Sequence, residues 1–196
     1  MSGDGPFTTS HREPKMAAFA WEQTCLHDLT LPVNEFTPGF RCPEFRRSTK
    51  EAAMASNRMS RFDVFIGTWN TSGEVLATEN APAAILSATD TYRWLPGKHF
   101  IAHDADARFD SKPSRSMEVI GYDLAAKKYL ARSYDDQGAS EVFEVALNGK
   151  SWSIAGESVR FKGTFDAKGD KLTGLWELKG KKAGWQPWIK LKLLRA

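Results

Sequence analysis

From Arg61 onward the hydrophobic and polar positions alternate in short runs broken by turn residues, which is the period of a β-strand with one buried face. Ten such runs follow one another: Thr68 to Ala77, Ala88 to Leu95, Lys98 to Arg108, Arg115 to Asp123 and Lys127 to Asp135, then Ser140 to Leu147, Ser151 to Glu157, Val159 to Asp166, Lys171 to Lys179 and Gly184 to Leu194. The breaks between them include Leu95-Pro96-Gly97, Asp135-Asp136-Gln137-Gly138, Asn148-Gly149, Asp166-Ala167-Lys168-Gly169 and Gly180-Lys181-Lys182. Asn148-Gly149 is the strongest hairpin signal, because both residues tolerate the positive φ of a type I′ turn. No helical run long enough for a parallel crossover separates neighbouring strands, so βαβ architectures are excluded. The pattern predicts an all-β fold, an antiparallel up-and-down barrel of about ten strands that closes on itself and leaves no exposed edge.

The first sixty residues read differently. They hold five of the nine prolines, Pro6, Pro14, Pro32, Pro38 and Pro43, and show no sustained alternation. Met16 to Leu26 and Ser48 to Met59 have helical character, the second with Ser48 and Glu51 spaced as a capping box. The expected organisation is a loop-rich N-terminal arm with short helices, 1–60, followed by a barrel, 61–196. Met54 and Met59 stand just before the regular pattern and offer alternative starts for the natural product. Phe19, Trp21, Phe36, Phe40 and Phe45 give the arm aromatic groups with which to dock on a partner or on the barrel.

Composition narrows the function classes. With 41% hydrophobic residues, seven Trp and twelve Phe among 196 residues, the chain has enough apolar material for a core. No run approaches the ~20 apolar residues of a membrane-spanning helix, and the opening Met-Ser-Gly-Asp-Gly-Pro lacks the basic and apolar parts of a secretory leader, so the expectation is a cytoplasmic protein without membrane insertion. The formal charge of +3 is scattered, and the cluster Lys179, Lys181, Lys182 with Lys190, Lys192 and Arg195 reads as a solvated hairpin and outer strand face, not a nucleic-acid groove. Cys25 and Cys42, with His11 and His27, match no zinc-ligand spacing, so free thiols and no metal are expected.

Phe62-Asp63-Val64-Phe65-Ile66-Gly67-Thr68-Trp69 puts a glycine two residues before a tryptophan, after an apolar helical turn. This resembles the opening signature of the calycin superfamily, which includes lipocalins, fatty-acid-binding proteins and nitrobindins. Within that group the chain is most similar to a bacterial family of unknown function, DUF1579. Thr91-Tyr92-Arg93-Trp94-Leu95-Pro96-Gly97-Lys98-His99-Phe100 looks like that family's second hairpin, and Gly121-Tyr122-Asp123 like the end of its fourth strand. The resemblance covers about residues 61 to 196. It implies a barrel closed by a short helix, with Gly67, Trp69 and Arg195 as a structural signature in which Arg195 packs on Trp69 and locks the last strand to the first. It implies no cofactor: the haem-ligating histidine of nitrobindins falls late in the chain, and no histidine follows His103 here. Arg132-Ser133-Tyr134 has the spelling of the fatty-acid-binding proteins' carboxylate site, although it lies mid-barrel.

Strand parity selects candidate ligand-binding residues. Along Lys98 to Arg108 one face carries Lys98, Asp104, Asp106 and Arg108 and should meet water, which directs His99 and His103 inward. Four residues apart on one strand, they stand ~13 Å from each other, too far to share a metal. Leu130, Arg132 and Tyr134 share a face, opposite Tyr129, Ala131 and Ser133; if the first set points inward, Arg132 meets a ligand carboxylate, and if not it is a surface arginine. Glu118 shares its face with Ile120 and Tyr122 and competes as an internal partner for Arg132. Trp94 and Tyr92 share a face and serve as core or pocket wall.

No Gly-x-Ser-x-Gly elbow, phosphate-binding glycine loop or His-Glu-x-x-His helix occurs, so no catalytic residues are assigned. The leading expectation is a barrel that binds a small hydrophobic or amphipathic molecule, oriented by His99, His103, Arg132, Tyr134, Glu118 and Trp94. An isomerase or lyase that moves a proton through an interior histidine, paired with a carboxylate such as Glu118 or Glu144, is the alternative. A filled barrel whose arm pairs two subunits as a homodimer is the third.

Overall fold

The computed structural model describes residues 58–79, 81–180 and 184–196. By its contacts the chain divides into Met1–Phe45 and Arg46–Ala196, and every described residue lies in the second unit. The helices expected around 16–26 and 48–57, and both cysteines, lie outside the described residues.

Ten strands form one closed antiparallel barrel in simple meander order. They are β1 Gly67–Val75, β2 Ala84–Trp94, β3 Phe100–Phe109, β4 Lys112–Asp123, β5 Lys128–Asp135, β6 Ser140–Asn148, β7 Ser151–Ala155, β8 Val159–Phe165, β9 Lys171–Gly180 and β10 Gly184–Arg195. Each expected strand is present, with ends shifted by a few residues. Closure is made by β1 and β10, in register from Trp69 opposite Arg195 to Val75 opposite Ile189. One irregularity, between Pro187 and Ile189 in β10, leaves Trp188 without a partner in β9. Among the described residues no helix is long and apolar enough to cross a membrane.

A 3-10 turn, Ser60–Phe65, closes one end. Its Phe62 and Phe65, with Met59 just before it, are wholly or almost wholly buried. The Phe65 ring meets Trp152, Phe165 and Tyr92 at centroid distances of 4.9, 5.0 and 5.2 Å, and Phe62 meets Tyr129 at 5.0 Å. Burying each of these aromatic side chains contributes ~2–3 kcal/mol. The Trp69 indole N–H donates to the carbonyl of Phe65 at 2.7 Å, tying β1 back onto the turn. Arg195 covers the other side of that ring, its Cζ 4.4 Å from the Trp69 centroid, while its guanidinium donates to the carbonyls of Val64 and Ile66 at 2.7 and 2.9 Å. Gly67 between them has φ +126°, and a Cβ there would stand 3.1 Å from Arg195 Nη1, so the junction needs a glycine on both counts.

The interior therefore has two unlike halves. Toward the 3-10 turn it is packed with aromatic and branched side chains, Trp69, Ile101, Ile120, Phe143, Trp152 and Phe165 among them. Toward the opposite end the inward positions of β2 to β5 include small, half-buried residues, Ala88, Ala105, Ala107, Ser114, Ser116 and Ser133, beside a second apolar cluster in which Val75, Leu86 and Ile189 are buried against Phe109, Trp176 and Leu191. Eight strands enclose about enough space for side chains to fill, and ten enclose more. The small residues leave the β2 to β5 side of that end half-exposed, while the β1 and β10 side is packed.

Candidate functional site

Where the packed and open halves meet, four polar side chains point inward from three neighbouring strands and β1. His103 on β3 lies between Asp90 on β2 and Glu118 on β4: Nε2 is 2.9 Å from Asp90 Oδ1, and Nδ1 is 2.9 Å from Glu118 Oε2. The Thr71 hydroxyl on β1 donates to the second carboxylate oxygen of Asp90. The sheet produces this arrangement directly, because His103 sits opposite both Glu118 and Tyr92 in register. The His103, Asp90 and Glu118 side chains keep only 12, 10 and 14% of their surface exposed.

Two carboxylates flanking one imidazole determine its protonation. A carboxylate only accepts hydrogen bonds, so both ring nitrogens must carry hydrogen, and the ring is an imidazolium. Burial pushes its pKa down, but the hydrogen bonds and charges of Asp90 and Glu118 outweigh burial and raise it from 6.5 to about 9. Tyr92, stacked on the ring, has its own phenol pushed well above 10 by burial and by the nearby charges of Asp90 and Glu118. With one cation between two anions, the trio carries a net charge of −1.

The polar row continues around the wall. Glu118 is opposite Ser133 on β5, and Ser133 is opposite Glu141 on β6, so β3 to β6 place His103, Glu118, Ser133 and Glu141 side by side. Burial, together with the charge of Glu157, raises the Glu141 carboxyl above its usual range. No group of three His, Cys, Asp or Glu among the described residues is arranged to hold a metal ion.

The other candidate residues are not in this row. Arg132 and Tyr134 point outward, correcting the reading that placed them in the cavity: inward positions on β5 are Tyr129, Ala131 and Ser133, with Ala131 opposite the buried Ile120 and Phe143. Arg132 is 44% exposed and pairs with Asp123 at 3.2 Å; Tyr134 is 47% exposed. Glu144, the other carboxylate considered for an interior histidine, is also outside, where Lys128 meets it at 2.5 Å. His99 is not within a strand. It follows Gly97 and Lys98, whose φ values of +83° and +54° make the β2–β3 turn, and its buried Nδ1 has no hydrogen-bond partner among the described residues. Trp94 sits at the same closed end, where its indole N–H donates to Asp63 Oδ1 at 3.0 Å. Neither residue reaches the open half.

Asp90 and Thr71 are the functional-site candidates that the sequence reading missed. The available signal was an acid on a strand face otherwise marked by Leu86, Tyr92 and Trp94. A groove of about 720 Å³ runs along the outer face of β2 to β5 past Thr91, Asp104, Met117 and Tyr134, and Ala105 and Ser116 also line it.

A family model described as a protein of unknown function, DUF1579, matches residues 56–180. No curated protein matches the chain. Among solved structures the chain is similar to Rv2717c from M. tuberculosis, at 12% identity and a TM-score of 0.52, over 70% of this chain and 96% of that one. It is also similar to the S-type phycobiliprotein lyase CPES from Guillardia theta, at 8% identity and a TM-score of 0.43, over 74% and 97%. The first likeness is one of fold, and neither carries a function across.

Proposed function

This chain belongs to the DUF1579 family, a set of calycin-like barrels, and we propose that its barrel binds a small hydrophobic or amphipathic molecule in the open half of the interior. One observation carries the reading: on β2 to β5 the inner wall changes from half-exposed alanine and serine positions to a buried, charged row centred on His103. Larger side chains at these β2 to β5 positions would extend the packing of the neighbouring apolar cluster, whereas alanine and serine leave space beside it. The ligand's apolar part would lie against Ala105, Ala107, Leu191 and Trp176, and its polar part against His103, Glu118 and Glu141.

The test is native mass spectrometry of the protein purified from its own host, with extraction of whatever is bound, beside a fluorescent hydrophobic probe titrated into wild type and Ala107→Trp. The expected result is a bound small molecule, probe binding by wild type, and loss of that binding when the indole occupies the open half of a still-folded barrel. Probe binding that survives Ala107→Trp and disappears in a variant of the outer groove, such as Tyr134→Ala, would move the site outside.

A proton-transfer role for His103 is the second reading, favoured by its contact with Glu118 at 2.9 Å. Held as an imidazolium between two carboxylates, His103 would begin a turnover as a general acid, not as a base.

A further inference from the structure

We infer that the open half selects an amphiphile with a positively charged nitrogen head, an organic ammonium, over a carboxylate bearing the same tail. This rests on the interior-binding reading above and deepens it.

The inference comes from the charges that face inward. Asp90 and Glu118 share a single imidazolium and leave one negative charge uncompensated. Glu141, whose carboxylate lies against Gly156 and accepts from the Glu157 backbone, adds a second along the same row and has no salt-bridge partner among the described residues. Inward register positions of the ten strands hold no lysine or arginine except at the two ends. Lys112 stands exposed at the tip of the β3–β4 hairpin, and Arg195 is committed to Trp69 and the carbonyls beneath it. The cations that might have compensated are on the outer face and already paired: Arg93 with Asp104, Arg115 with Asp106 and Arg132 with Asp123.

Those facts decide the sign of the ligand. A carboxylate entering this half would shed water, meet two negative charges and find no free cation, so only serine hydroxyls would offset its desolvation. An ammonium sheds water as well, but meets acceptor oxygens on Glu141 and Glu118 with charge to spare. Its donors match the carboxylate oxygens, since both His103 N–H groups are already used and the remaining donors of the wall are serine hydroxyls. The tail then lies against the apolar wall that includes Leu191 and Trp176. A neutral molecule with the same tail falls between the two, gaining the wall and losing the charge term.

The experiment uses the full chain, with decylammonium, decanol and decanoate as three probes of one tail length, below their micelle concentrations and near neutral pH, by isothermal titration calorimetry. Decylammonium is expected to bind about tenfold or more tighter than decanoate, with decanol intermediate, and to weaken as salt is raised. Glu141→Gln keeps the side chain's shape in a half-exposed position. It should weaken decylammonium by about three- to tenfold and leave decanol unchanged. Decanol binding together with equal or tighter decanoate binding overturns the charge inference and leaves the binding site standing. Failure of all three probes, decanol included, overturns both.

Discussion

The imidazole of His103 lies flat on the phenol ring of Tyr92, their centroids 4.0 Å apart and their planes within 4° of parallel. The two residues are direct register partners on β3 and β2, so the stack is imposed by the sheet. It places a cation on the electron-rich face of an aromatic ring whose other neighbours include Phe65. The histidine is thus held from three directions, by two carboxylates at its edges and a ring on its face.

That environment should be visible in the protonation state. His103 is expected to carry hydrogen on both ring nitrogens at neutral pH and to lose one only near pH 9. Nitrogen-15 shifts of the labelled imidazole, followed against pH, check this; a ring titrating near 6.5 would contradict the two-carboxylate clamp.

Stability should follow the same proton. The pKa of His103 is raised on folding, so the native state holds a proton that the unfolded chain releases above about 6.5. The stabilisation is complete below pH 6.5, declines as pH rises through about 9 and is absent beyond it, amounting to on the order of 3 kcal/mol. Urea midpoints between pH 6 and 10 should fall in wild type and remain flatter in His103→Gln, apart from the general alkaline loss both share.

Removing the imidazole strands two anions. His103→Phe retains a ring to stack on Tyr92 but leaves Asp90 and Glu118 facing each other, at an expected cost of ~3–5 kcal/mol. Adding Asp90→Asn and Glu118→Gln to that variant should recover much of the loss. Chemical denaturation of the single, double and triple variants measures the coupling.

At the closed end, Arg195 works through geometry as well as charge. Arg195→Lys keeps a cation near Trp69 but cannot span Val64, Ile66 and Asp170 at once. A loss of ~2 kcal/mol is expected, with little effect on probe binding at the far end of the barrel. Thermal melting and the fluorescent probe read the two separately.

Gly174 should tolerate no side chain. It faces Gly163 across β9 and β8 with the Phe161 ring over both, and a Cβ there would stand 2.2 Å from Phe161 Cζ and 2.7 Å from the Lys162 carbonyl. Gly174→Ala is expected to cost ~1–3 kcal/mol by displacing the ring and the adjoining strand. The denaturation midpoint tests it, with Gly73→Ala, at a Cβ position 2.7 Å from the Lys190 carbonyl, as a second close approach.

The ten strands were legible because alternation and turn chemistry agree along most of the chain. The site was legible only in part. Glu118 and His103 stood out as polar residues on faces shared with Ile120 and Ile101, and they are inward. Asp90 gives the same signal beside Tyr92, but the neighbouring aromatic residues mark that face as core or pocket wall and hide the acid among them. On β5 the pattern misleads for a physical reason: its inner face carries Tyr129, Ala131 and Ser133, small or polar groups suited to an open half, while its outer face carries Leu130. Hydrophobicity then no longer separates inside from outside. His99 was read as part of a strand because period-two counting cannot see that Gly97 and Lys98 adopt positive φ and end the hairpin one residue later.

The pairing of β1 with β10 also governs how the fold can be reached. Every other strand finds its partner a turn away, but Trp69 and Arg195 must meet across nearly the whole length of the barrel sequence. Loop-closure entropy makes that contact the costly one, and until it forms two strand edges stay unpaired. A chain emerging from the ribosome can stack nine strands and still lack the second partner of its first, which pairs only with β2 until then. Synthesis of the final strand is then what converts an open, self-adhesive sheet into a cup.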